Sequence, residues 1–274
     1  MLASAPIGVF DSGVGGLTVL RALRAQLPRE SFIYLGDTAR LPYGTKSPET
    51  VVRYAVQAAD ALVARGIKAL VVACNTAAAA ALPTLQARFP GLPLIGVVEP
   101  GARAAVAASR SGRIAVLATE GTVLGGAYQQ SILRLQPQAQ VSAMACQLFV
   151  ALAEEGWMDG AVADATARRY LAPLLETGEA VRPDVIVLGC THFPALRTVI
   201  AAVAGEGVQI VDSAATTAKA VAEQLAAAGL SAAATSSAPE VRFLATDGLL
   251  RFITVGARFL GEDIPAGDVE LIDL

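Results

Sequence analysis

Two cysteines of this chain follow apolar, strand-like runs and precede short polar clusters. Cys74 comes after residues 70–73, and Cys190 comes after residues 185–189. Because a parallel α/β sheet presents functional groups just beyond the carboxyl ends of its strands, the two thiols could face each other across one cleft. Two thiols in that arrangement would form an opposed pair of acid/base groups.

The residues after each cysteine predict the start of a helix. Asn75 and Thr76 precede an alanine-rich stretch, and Pro194 stands where proline is favoured in a first helical turn. A helix dipole and free N–H groups stabilise a nearby thiolate, so we expect Cys74 to act as a base near neutral pH, with Cys190 in the same setting. The alternative, a free cysteine buried as a small apolar residue, stays open at this point.

His192 is the single histidine of the chain and lies two positions after Cys190. An imidazole at that distance could tune the thiol or donate a hydrogen bond to a substrate. Cys146 has no polar cluster behind it, and we expect it to pack. Zinc is the rival use of these residues, but no C-x-x-C spacing occurs and Cys190 and His192 are too close in sequence for the usual geometry, so no metal is expected.

Residues 11–16, Asp-Ser-Gly-Val-Gly-Gly, form a glycine-rich turn between a predicted strand and a predicted helix. The spacing matches neither the dinucleotide fingerprint nor the P-loop, so nucleotide binding is disfavoured. A tight structural turn explains the glycines. A loop whose glycines let the backbone approach a small ligand, while Asp11 and Ser12 offer a carboxylate and a hydroxyl, also explains Asp11.

The composition indicates a compact globular protein, because 54% of the residues are hydrophobic and 16% are charged. No segment has 18 uninterrupted apolar residues, so we expect no membrane association. A net charge of −3 without a long basic run argues against nucleic acid and favours a small-molecule ligand. The amino-terminal residues do not resemble a secretory signal and three cysteines make no disulfide framework, which predicts a cytoplasmic location.

Short β-branched runs alternate with alanine- and leucine-rich stretches, the pattern of an α/β fold with parallel sheets. Strands are expected to begin near Ile7, Phe32, Lys68, Leu94, Arg113, Val141, Asp184, Val208 and Val241. Helices are expected over residues 17–27, 48–65, 76–89 and 161–176.

A weak internal repeat relates the two halves of the chain. The strand before Asp11 is similar to the strand before Thr119, and Cys74 follows the first at about the same distance as Cys190 follows the second. Two similar units packed face to face would bring both cysteines and both loops into one cleft at the domain interface, a preferred place for a ligand.

Five motifs, in this order and spacing, resemble the cofactor-independent aspartate/glutamate racemase family and, within it, the glutamate racemases. They are residues 11–16, Pro-Tyr-Gly at 42–44, Cys-Asn-Thr-Ala at 74–77, Glu-Glu-Gly at 154–156 and Gly-Cys-Thr-His-Phe-Pro at 189–194. The chain departs from the family pattern at Gln147 and Ala151, where prolines are expected before Glu154.

The resemblance implies an isomerase that converts L-glutamate to D-glutamate without a cofactor, by a two-base mechanism. Cys74 would act on D-glutamate with help from Asp11, and Cys190 on L-glutamate with help from Glu154 and His192. The implied substrate contacts are Asp11, Ser12, Pro42, Tyr43, Gly44, Cys74, Asn75, Thr76, Thr119, Thr122, Cys190, Thr191 and His192. The implied role is D-glutamate supply for peptidoglycan, and hence for cell wall biogenesis and cell shape.

The implied fold has two similar three-layer domains with parallel sheets, related by a pseudo-two-fold axis, with the active site in the cleft between them. Residues 1–98 and 209–274 are expected to form the first domain, and residues 99–208 the second. We also predict a homodimer, whose geometry the sequence does not reveal.

Three other functions stay open. A pyridoxal-phosphate racemase needs a lysine for its Schiff base, and none of Lys46, Lys68 and Lys219 follows a recognisable cofactor loop. A related enzyme could act on aspartate, hydantoins or another acid with an activated C–H bond, and pocket volume controls that choice. A non-catalytic protein that binds acidic amino acids would keep its affinity without either cysteine.

Overall fold

The structure, a computed structural model, describes residues 2–176, 182–233 and 238–274. In chain order the strands of these ranges are β1 (Ile7–Asp11), β2 (Phe32–Gly36), β3 (Ala69–Val72), β4 (Leu94–Gly96), β5 (Arg113–Ala118), β6 (Gln140–Ala145), β7 (Val185–Gly189), β8 (Gln209–Asp212), β9 (Val241–Ala245) and β10 (Val269–Leu271). Each of the nine expected strand starts lies within one residue of an observed one, and β10 was not predicted.

Eleven α-helices connect these strands within the described ranges. They are α1 (Leu17–Gln26), α2 (Pro48–Val63), α3 (Asn75–Arg88), α4 (Val98–Ala108), α5 (Glu120–Gly125), α6 (Ala127–Leu135), α7 (Gln147–Glu155), α8 (Gly160–Leu175), α9 (Arg197–Ala204), α10 (Ser213–Ala227) and α11 (Leu249–Leu260). The four expected helices are confirmed to within two residues at each end. No helix in the described ranges is both long and apolar enough to cross a bilayer.

The strands form two sheets in which every pairing is parallel. The first sheet has the order β10-β9-β2-β1-β3-β4, and the second has the order β6-β5-β7-β8. The run β2-β1-β3-β4 therefore has the same order as the whole second sheet, which is the structural counterpart of the weak sequence repeat. The α/β class and the two parallel-sheet domains are confirmed.

This strand order decides where a ligand can bind. In an open parallel sheet, ligands bind beyond the carboxyl ends of the strands at the point where the order of connection reverses. That point lies between β1 and β3 in the first sheet and between β5 and β7 in the second. Asp11 and Cys74 therefore lie at the first reversal, and Thr119 and Cys190 at the second.

The observed sheets differ from the expected domain boundary at one strand. The boundary at residue 208 assigned β8 to the first domain, but β8 pairs with β7 from Val185↔Gln209 to Leu188↔Asp212. The second sheet therefore extends to Asp212, and α10 then returns the chain to the first sheet by packing against α1. Residues 209–212 carry no local signal for the sheet that they join, and the division of the chain into domains at residue 208 stays a prediction.

Buried strands form the centre of each sheet, since every residue of β1, β2, β3 and β7 is buried. Helices on both sides of a parallel sheet require such continuous apolar runs. One ion pair is also buried at the amino end of the first sheet: Lys68 contacts the carboxylate of Glu30 and the carbonyl of Ala3. The second carboxylate oxygen of Glu30 accepts a hydrogen bond from the N–H of Ala232 at 2.8 Å.

Candidate active site

One cavity of about 260 Å³ lies between the carboxyl ends of the two sheets. Its wall contains every predicted site residue except Asp11 and Thr122: Ser12, Pro42, Tyr43, Gly44, Cys74, Asn75, Thr76, Thr119, Glu154, Cys190, Thr191 and His192. Four further wall residues, Leu41, Gln147, Val150 and Ala151, were not predicted as site residues. The sheets thus bring both cysteines to a shared cavity, as their positions after β3 and β7 predict.

Asp11 and Thr122 lie immediately behind this wall. Asp11 is fully buried at the end of β1, and its Oδ2 accepts a hydrogen bond from the N–H of Gly13 at 3.0 Å. Its Oδ1 lies 3.5 Å from the hydroxyl of Thr191, so one carboxylate contacts both cysteine-bearing halves of the site. Burial raises the pKa of Asp11, against the positive charge of His192 and several backbone N–H groups.

Cys74 caps the amino terminus of α3. Its Sγ accepts a hydrogen bond from the N–H of Ala77 at 3.4 Å and lies 3.4 Å from Oγ of Ser12. Burial nevertheless raises the pKa of Cys74 to about 12, and the negative charge of Asp11 acts in the same direction. Desolvation therefore outweighs the helix terminus and favours the thiol form of Cys74 in the free protein, and its role as a base stays a prediction.

Cys190 has a different setting from Cys74. A short 3-10 turn, Phe193–Leu196, contains Pro194, and the α-helix α9 begins only at Arg197. The expected α-helical amino terminus directly after Cys190 is therefore wrong. The nearest cation is instead His192, whose Nδ1 lies 3.8 Å from Sγ of Cys190.

His192 is held by a carboxylate on its other side. Its Nε2 lies 3.0 Å from Oε1 of Glu154 at the end of α7. Burial lowers the pKa of His192, but the hydrogen bonds to Cys190 and Glu154 outweigh this effect and raise the pKa to about 10. Glu154 is also partly desolvated, yet its bonds to His192 and Arg251 lower its pKa to about 2. The pair is therefore an imidazolium and a carboxylate at neutral pH.

Helix α11 supplies three contacts to this pair that sequence reasoning missed. Arg251 donates from Nη2 to Oε2 of Glu154 at 2.8 Å, and Arg258 donates to the main-chain carbonyl of Glu154 at 2.8 Å. The ring of Phe259 meets the ring of His192 edge-on, with 5.1 Å between centroids. These residues lie about 100 positions after Glu154 in an ordinary amphipathic helix, so no local signal could have found them.

Three threonine hydroxyls join the two halves of the cavity. The Oγ1 atoms of Thr76, Thr119 and Thr122 lie 2.9, 3.1 and 3.0 Å apart in a closed triangle. Thr76 belongs to α3 beside the first sheet, whereas Thr119 and Thr122 follow β5 of the second. The triangle therefore spans the interface at the floor of the site.

The side-chain amide of Asn75 has a hydrogen-bond donor that no described residue accepts. Its Oδ1 accepts from the hydroxyl of Tyr128 at 2.7 Å, whereas its Nδ2 is buried without a partner among the described residues. A buried donor without a partner costs free energy, and a ligand oxygen in the cavity would satisfy it. Asn75 is therefore suited to bind a carboxylate.

The Pro42-Tyr43-Gly44 turn is part of the cavity wall, as expected, and is held in place by the hydroxyl of Tyr43. Tyr43 is almost fully buried, and its hydroxyl hydrogen bonds to the carboxylate of Asp37. Oδ1 of Asp37 also accepts from the hydroxyl of Thr246 at 2.9 Å. The Tyr43 hydroxyl is thus engaged in holding the turn and is not a free donor for a ligand.

The glycines of residues 13–16 allow close contact within the protein. A Cβ on Gly15 would lie 2.4 Å from Oγ1 of Thr191 and 2.5 Å from Nδ1 of His192. None of these glycines lines the cavity. These glycines instead let residues 13–16 pack closely against the loop that follows Cys190. A hydrogen bond of 3.1 Å from the hydroxyl of Thr18 to the carbonyl of Thr191 supports this contact.

Comparison with known proteins agrees with this geometry. Residues 7–221 match the family model described as Asp/Glu/Hydantoin racemase. The chain belongs to this racemase family. A glutamate racemase of Geobacter metallireducens is 53% identical over 268 residues, which cover 98% of this chain and 96% of that protein.

Solved structures of the family have the same fold. A glutamate racemase isoform from Bacillus anthracis superposes with a TM-score of 0.92 at 38% identity and covers 98% of both chains. The glutamate racemase of Francisella tularensis in complex with D-glutamate superposes with a TM-score of 0.91 at 34% identity, covering 99% of this chain and 98% of that one.

In this member of the racemase family, the two positions where prolines were expected both line the cavity. Gln147 begins α7, and its Oε1 accepts a hydrogen bond from the N–H of Glu120 at 3.2 Å. That N–H belongs to the first turn of α5, where helical N–H groups have no partner in the helix. Gln147 therefore links α7 to α5 beyond the carboxyl ends of the strands of the second sheet.

Proposed function

We propose that this chain is a glutamate racemase that interconverts L- and D-glutamate through Cys74 and Cys190 without a cofactor. One observation carries the proposal: two buried thiols from different sheets open into the same cavity, and each has its own charged neighbour. The full-length relatives named glutamate racemase, one of them bound to D-glutamate, support the choice of substrate.

Conversion of L-glutamate begins at Cys190. As a thiolate beside the imidazolium of His192, Cys190 removes the Cα proton, so that a C–H bond breaks and an S–H bond forms. Cys74, which burial keeps as a thiol, then donates its proton to the opposite face of the carbanion. The product is D-glutamate, and exchange with solvent removes a proton from Cys190 and returns one to Cys74, which restores the starting thiolate and thiol.

The reverse reaction needs Cys74 as a thiolate. In the free protein, burial and the charge of Asp11 oppose that state. The α-ammonium group of a bound amino acid brings a positive charge into the cavity, and a nearby positive charge lowers the pKa of a thiol. Binding of D-glutamate would therefore prepare Cys74 to act as the base.

Neutral donors would bind the two carboxylates of the substrate. The cavity wall contains the hydroxyls of Ser12, Thr76, Thr119 and Thr191 and the free amide of Asn75, but no arginine or lysine among the described residues. Donors fixed in a water-poor cavity stabilise negative charge as it develops on the α-carboxylate. The same wall offers no lysine for a Schiff base to pyridoxal phosphate.

The remaining parts of the proposal concern the cell. D-glutamate made by this enzyme would supply peptidoglycan synthesis, in the cytoplasm, and the active protein would be a homodimer. The cysteine usage of the sequence supports the proposed location, because three cysteines make no disulfide framework.

Incubation of the protein with L- or D-glutamate in deuterated water tests the proposal. We expect each enantiomer to be converted to the racemate, with solvent deuterium at Cα and no added cofactor, as followed by circular dichroism and NMR. Absence of exchange with both enantiomers would overturn the racemase, and faster exchange of aspartate than of glutamate would overturn the substrate.

Matched cysteine variants test the mechanism. Cys74→Ala and Cys190→Ala should each lose racemisation. Cys146→Ala should keep it, because Cys146 packs outside the cavity wall and its Sγ contacts the carbonyl of Met144. Full activity of Cys74→Ala or Cys190→Ala would exclude the two-thiol mechanism.

A further inference from the structure

We infer that Arg251 is a positioning residue for the acid/base group Cys190, through the connected side chains of Glu154 and His192. The inference rests on the proposed function and on the assignment of Cys190 to the L-face of glutamate. Arg251 lies outside the cavity wall and touches no reacting atom, so its role is to hold the groups that do.

Three contacts connect Arg251 to the sulfur. Nη2 of Arg251 lies 2.8 Å from Oε2 of Glu154, Oε1 of Glu154 lies 3.0 Å from Nε2 of His192, and Nδ1 of His192 lies 3.8 Å from Sγ of Cys190. Each of the two intermediate groups is held at both ends. These contacts restrain the carboxylate plane of Glu154 and the ring of His192.

The position of Glu154 explains why a cation is needed there. Glu154 lies in the last turn of α7, which ends at Glu155 and is capped by Gly156 in the left-handed region at φ 79°. The carboxyl end of a helix carries partial negative charge and disfavours a carboxylate. Arg258 binds the free main-chain carbonyl of Glu154, and Arg251 binds its side chain, so α11 compensates both negative groups.

Without Arg251, the Glu154 carboxylate would have His192 as its only side-chain partner in the described structure. The side chain of Glu154 is 14% exposed and that of His192 is 9% exposed, so Glu154 is the closer of the two to solvent. A carboxylate released on one side can turn toward water, and the imidazole would then lose its fixed orientation beside Cys190. Misplacement of a reacting group by about 1 Å costs roughly 100-fold in rate.

Arg251→Met removes the charge and keeps most of the length of the side chain. We expect kcat/KM to fall by roughly 10- to 100-fold. Because L- and D-glutamate have equal free energies, kcat/KM must fall by the same factor in both directions. Rates alone therefore cannot show which cysteine is affected.

Deuterium at Cα of the substrate can show which cysteine is affected. The label is transferred to Cys190 when L-glutamate reacts and to Cys74 when D-glutamate reacts. If only the Cys190 step slows, the isotope effect on kcat/KM rises for labelled L-glutamate and falls toward 1 for labelled D-glutamate. We expect this divergence in Arg251→Met, and we expect Arg251→Lys, which restores a cation, to return both isotope effects most of the way to the wild-type values.

Arg168→Met is the matched control, because Arg168 forms an exposed ion pair of 2.8 Å with Asp164 and neither residue belongs to the cavity wall. It should change neither rates nor isotope effects. A wild-type rate in Arg251→Met, isotope effects that change alike for both enantiomers, or a divergence in the opposite sense would each overturn the inference. Failure of the wild-type protein to racemise glutamate is a separate result, which would overturn the proposed function itself.

Discussion

His192 and Glu154 are joined by a hydrogen bond of 3.0 Å across the boundary between the Cys190 loop and helix α7. The charge on each group depends on the other. The imidazolium lowers the pKa of Glu154 to about 2, and the carboxylate helps to raise the pKa of His192 to about 10 against the effect of burial. The state of the only histidine in the chain therefore depends on Glu154, 38 residues earlier, as well as on its neighbour Cys190.

The first prediction concerns the titration of His192. Glu154→Gln should lower the pKa of His192 from about 10, because it removes the negative charge that stabilises the imidazolium. NMR can follow the ring protons against pH without assignment, since no other histidine is present. Glu155→Gln, at the exposed neighbouring position, is the control and should leave the titration unchanged. An unchanged pKa in Glu154→Gln would contradict the ion pair.

The second prediction follows from the same pair and concerns stability. The raised pKa of His192 stabilises the fold fully below about pH 6.5 and loses this effect as the pH rises through about 10. The lowered pKa of Glu154 stabilises the fold above about pH 4.5 and loses this effect as the pH falls through about 2. Urea unfolding should therefore show the largest loss in Glu154→Gln, about 1.5 to 3 kcal/mol, between pH 4.5 and 6.5. A loss that is constant with pH would contradict this linkage.

The third prediction concerns the thiol of Cys74. Asp11→Asn should lower the pKa of Cys74 from about 12, since it removes a negative charge while burial stays. The thiolate absorbance can be measured in a Cys146→Ala/Cys190→Ala background, where Cys74 is the only cysteine left. Asp60→Asn, which alters an exposed pair with Arg88, should have no effect on this titration. A pKa that rises or stays constant in Asp11→Asn would exclude the electrostatic coupling.

The fourth prediction concerns the contact between the two loops. Gly15→Ala places a methyl group within 2.5 Å of the His192 ring and should displace it, with a loss in kcat/KM of roughly 100-fold. Gly91→Ala is the control, because a Cβ at Gly91 meets nothing within 4 Å. Equal activity of the two variants would show that the ring tolerates displacement.

The fifth prediction concerns the buried ion pair of the first sheet. Lys68→Met leaves the buried carboxylate of Glu30 without its cation and should cost about 3 to 5 kcal/mol of unfolding free energy. Arg168→Met, in an exposed pair, should cost less than about 1 kcal/mol. The cost should shrink in Lys68→Met/Glu30→Gln, where no unpaired charge is left. Similar losses for Lys68→Met and Arg168→Met in urea unfolding would refute the buried pair.

Local patterns were sufficient for most of the fold and for the two cysteines, whereas most residues of the cavity wall were expected only from the resemblance to the racemase family. Strand ends such as those before Asp11 and Cys74 combine a continuous apolar run with a sudden polar residue, and both signals lie within a few positions. Strand β10 lacked such a signal, because it has three residues at the edge of the sheet and two of them are exposed. The sheet that β8 joins depends on pairing with β7, which no property of residues 209–212 reveals.

The electrostatics of the site could not be predicted from the same patterns. The helix terminus at Cys74 was correctly expected, but its effect on the pKa is smaller than that of burial, which depends on the packed structure. Arg251 reaches Glu154 from 97 positions away, and Tyr43 turns its hydroxyl to Asp37 instead of the cavity. Contacts of this kind exist only after the chain is folded.

The two cysteines belong to different sheets, and the threonine triangle is among the contacts that join those sheets at the site. The gap that a proton must cross on either side of Cα is therefore a property of the interface and not of either sheet alone. A small relative rotation of the two sheets would lengthen one gap while both sheets stay intact. Mild denaturant should accordingly abolish turnover at concentrations where the far-ultraviolet spectrum of the strands and helices is still native.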